Sequence, residues 1–469
     1  MNKLTLTEVA QVTDADLVIS EEWLAIRKQN TLTTSHQPLI TFEGVSTDSR
    51  KIQSGELFVA LKGENCNGES FAKDAFNKGA SAVLVSKTAK RVPEGVVLKV
   101  EDTLIAYRQI AGAWRDRFQI PVVAVTGSNG KTTTKDLTAA ALNGLGHVQK
   151  TSGNFNNEVG VPMTLLELQD KHNAAVVEIG MRGLGQIETL AKVVKPTIGI
   201  VTNVSEAHIE LLGSIENIAK AKGELVEAIK EGGTIILNAD NRHTAEMKNL
   251  AGTGVKVVTY GLDNPADLTA KNILIGSVST EFTLTYDGKD FDFEIPMLGR
   301  HNVSNALAAI AAGLTLGLSV EEIQRGISTL TTTKMRFEVI RRDGLTIVND
   351  AYNASPASMR VAIKTTSEIY NGRVIAVLGD MMELGEISEK VHREIGEELV
   401  ENKFDMLITL GELGKFIAAG ARDAGLKEVY TFDTHEDVAK KILELVRVGD
   451  TILFKASHVM HMEKIIELI

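Results

Sequence analysis

The chain is 469 residues long, 43% hydrophobic, 24% charged and 5% aromatic, with a formal net charge of −11. That length suggests about three domains at ~150 residues each, and the composition can bury a core in every one. The acidity excludes a general nucleic-acid or membrane-surface binder, which would present a net basic face. The lone cysteine, Cys66, excludes an intramolecular disulfide and makes a Cys-based metal site an improbable reading. No apolar run reaches the ~18 residues that cross a bilayer, and the polar, acidic stretch 1–20 is no signal peptide. A cytoplasmic protein without membrane insertion is expected.

From 1 to about 117 the pattern is mixed α/β. Residues 4–12 and 72–78 read as short helices, 56–61 and 82–86 as strands. Between them lies Ser46-Thr47-Asp48-Ser49-Arg50. It reads either as a solvated turn or as a hydroxyl-rich loop for a nucleotide or sugar, with Arg50 against a phosphate. Lys62-Gly63 and Asn67-Gly68 add turn signals beside it.

Residues 121–134, PVVAVTGSNGKTTT, organise the middle of the chain. A β-branched run ends at Gly127, a tight turn closes at Gly130, and residues 135–145 carry helix-forming Ala and Leu. A strand, a glycine turn and a helix start leave backbone N–H groups and a positive dipole end facing an anion. Gly127, Ser128, Asn129 and Gly130 let the backbone approach phosphates, Lys131 can reach the outer ones, and the Thr132 hydroxyl, beside Thr133, can hold Mg2+. Two residues separate the glycines here, not the four of the common P-loop. This is read as a nucleoside-triphosphate site.

The second domain runs from 118 to about 330. Strand-like runs at 174–179, 197–204, 234–237 and 255–260 alternate with helical ones, which predicts a mostly parallel sheet with its ligand site at the carboxyl ends of the strands. Glu178, His208 and Lys222 fall at or after those ends. Singly they read as a cap partner, a loop histidine and a solvated helix face. Together, beside a phosphate loop, a carboxylate is a natural Mg2+ ligand. Alternation on both sides of Asp287-Gly288 predicts a hairpin across 278–296. Residues 303–316 read as a helix, with His301 and Asn302 at its start able to touch a base, and Ser319 with Glu322 forms a capping box for the next helix.

Residues 329–334 look like a linker into a third domain, 331–469. Strands at 345–348, 374–378, 406–410, 429–432 and 452–455 alternate there with helices at 358–369, 391–400, 415–424 and 437–446 and a final helix, a second doubly wound α/β pattern. Asp350 and Asn353 follow one strand, Asp380 and Glu383 another; each acid reads as a helix cap or as a ligand group. Asp380 and Glu383 are candidates for an incoming ammonium. The fold class expected is therefore α/β in three domains: an N-terminal mixed α/β substrate domain (1–117), a central P-loop ATPase-like domain on a mostly parallel sheet (118–330) and a C-terminal Rossmann-like domain (331–469).

Taken together, Thr47-Asp48-Ser49-Arg50, the 126–134 loop, Gly153-Asn154-Phe155-Asn156-Asn157, Glu178-Ile179-Gly180, Glu206-Ala207-His208, Ala221-Lys222-Gly223-Glu224, His301-Asn302 and Asp350-Ala351-Tyr352-Asn353 resemble the Mur ligases over nearly the whole chain. These are ATP-dependent amide-forming enzymes of peptidoglycan synthesis, in a superfamily shared with folylpolyglutamate synthetases. The 379–385 run GDMMELG, with His392, resembles the members that add D-alanyl-D-alanine. The Asp-Asn-Pro-Arg signature expected of the diaminopimelate-adding relative is absent. Three positions depart from the family pattern: Asn67-Gly68-Glu69 for Asp-Gly-His, Asn353-Ala354-Ser355-Pro356 for Asn-Ala-Asn-Pro, and Lys455-Ala456-Ser457-His458 for Lys-Gly-Ser-Arg.

The resemblance implies that ATP phosphorylates the terminal carboxylate of UDP-MurNAc-tripeptide and that the amine of D-Ala-D-Ala attacks the acyl phosphate. It implies Lys131 on the outer phosphates, Thr132 and Glu178 on one Mg2+, and His208 with a carbamylated Lys222 on a second. Arg336 and Asp350 would meet the γ-phosphate and the ribose. Thr47, Asp48, Ser49, Arg50, Asn154, Asn156, Asn157, Asn353, Asp380 and Glu383 would face the substrates. A monomer that closes on its substrates is expected. Two rival readings stay open: a superfamily ligase adding a single amino acid, and a P-loop switch or transport ATPase that turns over without a UDP-peptide.

Overall fold

The computed structural model describes residues 3–20, 40–63, 66–90, 94–331, 334–370 and 372–469. Thr332 and Thr333 of the expected linker, and Met1 and Asn2 of the leader stretch, lie outside them. The chain packs as two compact units.

The first unit draws on Met1–Ile120, Thr151–Asn173 and Thr189–Lys195. Its five-stranded sheet runs Asp16–Ile19, Val96–Val100, Ala82–Ser86, Leu57–Val59, Val45–Ser46; the last four are parallel and the first is antiparallel to its neighbour. Leu57, Leu84 and Leu98 pack with Tyr107 and Ile110 of the helix Thr103–Arg115. The helix expected from residue 4 begins at Leu6 instead. Leu4–Thr5 is a short strand, and Thr5 caps the helix: Glu8 N–H donates to Thr5 Oγ1 at 3.2 Å while Thr5 N–H donates to Glu8 Oε2 at 2.8 Å.

The second unit holds two sheets. The first runs Lys289–Ile295, Thr280–Tyr286, Leu268–Ile275, Lys256–Gly261, Thr234–Asn238, Ile198–Val201, Val122–Thr126, His172–Glu178, His147–Lys150. The strands from Leu268–Ile275 to His172–Glu178 are parallel. Val122–Thr126 is buried throughout, as an apolar strand covered on both faces must be. Its helix, Lys131–Ala141, packs with Arg300–Thr315 through Leu137, Val303, Leu307 and Ile310. Register sets the site: Val125 lies opposite Glu178 and Thr126 opposite Val201, so three carboxyl ends finish level.

The predicted hairpin is present, with Phe282 stacked on Phe293 at 5.5 Å and Asp287 and Gly288 at φ 50° and 70°, the pair of positive φ values that a two-residue turn of the I′ kind requires. The capping box at Ser319 and Glu322 is present too.

The second sheet runs Glu338–Arg342, Leu345–Asn349, Thr451–Lys455, Val374–Gly379, Met406–Leu410, Glu428–Phe432. All but the antiparallel first strand are parallel. Helices cover both faces. Met359, Ile363, Ile395 and Ile417 fill one side, and Val438, Ile442, Ile465 and Ile466 the other. The late strand Thr451–Lys455 inserts between Leu345–Asn349 and Val374–Gly379, so the segments after these three strands converge at one end, where such sheets bind ligands.

Candidate active site

Gly127 and Gly130 sit at φ 147° and 79°, backbone that favours glycine, and a Cβ on either would strike Thr202 Oγ1 or Asn305 Oδ1. The loop between them is clamped from the strand next door. Asn129 N–H donates to Asn203 Oδ1 at 2.9 Å, Asn129 Nδ2 to Ser205 Oγ at 3.0 Å, and Thr202 Oγ1 to the Asn129 carbonyl at 2.6 Å. Ser128 N–H donates to the Asn203 carbonyl at 2.9 Å. Behind it, Thr134 Oγ1 donates to Asn305 Oδ1 at 3.2 Å, and Asn305 Nδ2 to Asn302 Oδ1 at 3.2 Å. A loop held this way is fixed in place without reorganising, with the helix start at Lys131 directly behind it, which suits an anion there.

At the helix start, Thr132 Oγ1 donates to Glu178 Oε2 at 2.9 Å, and both residues are buried. Lys131 Nζ donates to the carbonyls of Gly127 (2.8 Å) and Ser128 (3.2 Å). Burial lowers its pKa, Glu178 opposes that and Arg336 adds to it. Thr133, the next residue, is half-buried. Lys222, on the helix Ile215–Ala228, is 2% exposed, and no hydrogen bond or ion pair holds its amine among the described residues. Burial first, and the positive charge of Lys131 second, hold its pKa well below the ordinary lysine value.

The second sheet delivers the rest. Arg336 lies between Met335 and Phe337, both at positive φ (60° and 53°), the sparsely populated backbone that gathers at functional sites. Its guanidinium lies 3.9 Å over the ring centroid of Tyr352 and donates to Thr132 Oγ1 at 3.3 Å. Arg336 Nε and the Tyr352 hydroxyl are buried without hydrogen-bond partners among the described residues. Ser355 Oγ donates to Asn129 Oδ1 at 2.9 Å. Asp350 accepts from Lys455 Nζ at 2.6 Å and from Phe337 N–H at 3.1 Å, so its carboxylate is engaged within its own sheet. The Asn353 carbonyl also accepts from Lys455, at 2.9 Å. His301 packs edge-on to Phe337 with its Nδ1 buried and unpartnered among the described residues, and burial brings its pKa down to about 4. Asn302 Nδ2 donates to the Leu298 carbonyl at 2.9 Å.

His208 meets Glu383, Nδ1 against carboxylate. Asp380 is buried; its Oδ1 accepts Gly414 N–H at 2.8 Å, at the start of the helix Gly414–Asp423, which is the cap geometry open to any strand-end acid.

In the first unit, Asp48 and Arg50 close on each other, Arg50 Nε to Oδ1 at 2.9 Å and NH2 to Oδ2 at 2.8 Å. That pairing holds the Asp48 carboxyl far below the usual range. Thr47 is half-buried and Ser49 buried, its carbonyl taking a bond from Lys78 Nζ at 3.1 Å. Asn157 Oδ1 accepts Gly160 N–H at 2.9 Å, from the first residue of the helix Gly160–Leu166. Asn154 is exposed, and its carbonyl accepts Asn156 N–H at 2.7 Å.

Thr132 and Glu178 offer two oxygens at a phosphate loop, a donor set that fits Mg2+, which keeps waters and takes its remaining ligands from phosphates. No group of three His, Cys, Asp or Glu side chains able to hold a metal occurs among the described residues. Sequence reasoning missed Thr202, Asn203, Ser205, Asn305, Tyr352 and Lys455, although the 197–204 run with the Glu206 to His208 motif after it, and the Asp350 to Asn353 motif, already marked two of the segments that carry them.

The comparisons define the class. Residues 41–114 match the Mur ligase family catalytic domain, 125–313 the Mur ligase middle domain and 335–458 the Mur ligase glutamate ligase domain. The chain belongs to the Mur ligase family. Among its relatives is the UDP-N-acetylmuramoyl-tripeptide–D-alanyl-D-alanine ligase of Bacillus subtilis, 41% identical over 94% of this chain and 95% of that one. A crystal structure of MurF from Acinetobacter baumannii matches with TM-score 0.89 and 30% identity, covering 100% and 98% of the two chains. MurF from Thermotoga maritima in complex with ADP matches with TM-score 0.82 and 28% identity, covering 92% and 98%.

Proposed function

We infer that this chain ligates D-alanyl-D-alanine to UDP-N-acetylmuramoyl-tripeptide at the expense of ATP, in peptidoglycan synthesis. The observation that carries the reading is the convergence on Thr132. A phosphate-loop hydroxyl paired with Glu178 is reached by Arg336 from the other sheet, in a chain whose relatives bear the name of that ligase over nearly its whole length.

A carboxylate is a poor electrophile, so an oxygen of the tripeptide's terminal carboxylate attacks the γ-phosphorus and ADP leaves. The dipeptide amine then attacks the acyl carbon, the ammonium gives up its proton, and the tetrahedral intermediate expels phosphate with the former carboxylate oxygen. The chain's part is positioning and charge neutralisation. Loop N–H groups and Lys131 cradle the phosphates, and Arg336, held on Tyr352, meets the γ-phosphoryl group. His301 and Asn302 line the base side, and Asp350 the ribose side. Thr132 and Glu178 would hold Mg2+, which neutralises phosphate charge when bound. Attack of the neutral Lys222 amine on CO2 forms an N–C bond and releases a proton. That turns a buried neutral amine into an anion answering Lys131, and with His208 it would serve a second Mg2+.

The domain division is 1–117 for the UDP end of the acceptor, around Thr47 to Arg50, then 118–330 for ATP and 331–469 for closure and the dipeptide. A monomer acting in the cytoplasm, where ATP and UDP-linked precursors are found, fits this role; no helix among the described residues is long and apolar enough to cross a membrane. Phosphate release by the purified chain, with ATP and UDP-MurNAc-tripeptide, tests the reading. It should require D-Ala-D-Ala and be weak with single amino acids. Equal turnover with a single amino acid, or turnover without any acceptor, contradicts it.

A further inference from the structure

His208 and Glu383 come from different sheets of the second unit, one after Ile198–Val201 and the other after Val374–Gly379, and share a hydrogen bond between Nδ1 and the carboxylate. Both are non-glycine residues in the left-handed region, at φ 65° and 63°. Such backbone persists where the surroundings over-determine it, and here they do. Met381 N–H donates to His392 Nε2 at 3.0 Å, Met382 N–H to Ser457 Oγ at 2.9 Å, and the Glu383 carbonyl accepts Glu210 N–H at 3.3 Å. His392 is fully buried, and burial keeps its pKa below the ordinary imidazole value. Its Nδ1 lies 2.7 Å from the Ser388 carbonyl, which puts the proton there and leaves Nε2 as the acceptor Met381 uses. Three separate segments thus aim one carboxylate.

We propose that Glu383 is a positioning residue for His208: its carboxylate accepts a hydrogen bond from Nδ1–H, fixes the tautomer and angle of the ring, and leaves Nε2 as the lone-pair nitrogen. A carboxylate oriented behind a working imidazole is the usual way such a ring is made ready. Because the two residues come from different sheets, His208 is prepared only when the 380–385 segment is docked beside it. Glu383 is correspondingly ill placed to receive an ammonium. One of its oxygens faces His208, and Arg182 NH2 lies 4.0 Å from the other. The inference rests on the ligase reading only for what Nε2 then serves.

The test uses the full chain labelled with 15N-histidine. Long-range 1H–15N spectra at neutral pH report which ring nitrogen of His208 is protonated, with His208→Gln supplying the assignment. The wild type and Glu383→Gln, whose amide oxygen still accepts, should show the proton on Nδ1; Glu383→Ala should lose that preference. In phosphate release, Glu383→Ala should lower kcat roughly 10- to 100-fold, with the KM for D-Ala-D-Ala changed by less than about twofold and Glu383→Gln in between. Identical His208 ring signals in the wild type and Glu383→Ala overturn the proposal. So does a raised dipeptide KM shared equally by the Ala and Gln variants, the mark of ammonium binding. If the tautomer responds but wild-type turnover ignores the dipeptide, the ligase reading falls and the positioning role stands.

Discussion

The Thr132 hydroxyl donates to Glu178 Oε2 at 2.9 Å, across parallel strands whose carboxyl ends lie in register. The pair is buried beside a phosphate loop, and Arg336 reaches the same hydroxyl. Thr132→Ala removes the hydroxyl and Glu178→Gln removes the carboxylate charge, both at strand and helix ends with small change in side-chain size. Either should lower kcat/KM for ATP on the order of 100-fold. Thermal midpoints should move by only a few degrees. A variant with near-normal turnover would remove the pair from the phosphate site.

Lys222 is buried with no counter-charge among the described residues, and its pKa is driven well below the ordinary value by burial and then by Lys131. CO2 addition requires the neutral amine, the form that burial favours here. Lys222→Ala should lose most activity, and short carboxylic acids should restore part of it. Lys220, exposed on the same helix, is the control, and Lys220→Ala should stay near wild type. Full activity in Lys222→Ala removes the carbamate.

His301 gives a pH signature. Burial brings its pKa from 6.5 to about 4, Asp350 opposes that and Lys455 adds to it. As pH falls, the unfolded chain therefore takes up this proton first. The contribution is fully present above about 6.5 and is lost between about 6.5 and 4, reaching roughly 3 kcal/mol in all. Urea unfolding at pH 7.5 and 5 should show wild type losing more stability on acidification than His301→Gln. Equal losses would place the titration elsewhere.

Much of the fold was legible in the sequence where local pattern and tertiary burial agree. The strand Met406–Leu410 is buried throughout and apolar but for Thr409, and Asp287-Gly288 is the turn its flanking alternation demands. The strand Leu268–Ile275 was hidden, because a register shift between Lys271 and Leu274, with Asn272 at φ 53°, breaks its alternation. Glu338–Arg342 carries three charged residues in five and pairs only on one edge, so its pattern did not mark it as a strand. The phosphate loop announced itself because its chemistry is contiguous. Its clamp, Thr202, Asn203, Ser205 and Ser355, did not, since strand register and a second sheet bring those residues in.

Arg50 closes on Asp48 while its side chain stays 84% exposed, a cation held in place yet open to solvent. Arg50→Ala should raise the KM for UDP-MurNAc-tripeptide by about tenfold, the scale of one charge-assisted contact, and leave the KM for ATP unchanged. Equal effects on both substrates would point to damage in the first unit instead.

The central claim is that this chain activates a carboxylate as an acyl phosphate and hands it to D-Ala-D-Ala. Transfer of 18O from the tripeptide's terminal carboxylate tests it most directly, with mass spectrometry of both products. The account predicts one 18O in each phosphate released and a UDP-peptide heavier by one dipeptide less one water. Phosphate without label, or release of phosphate with no heavier UDP-peptide, would contradict it.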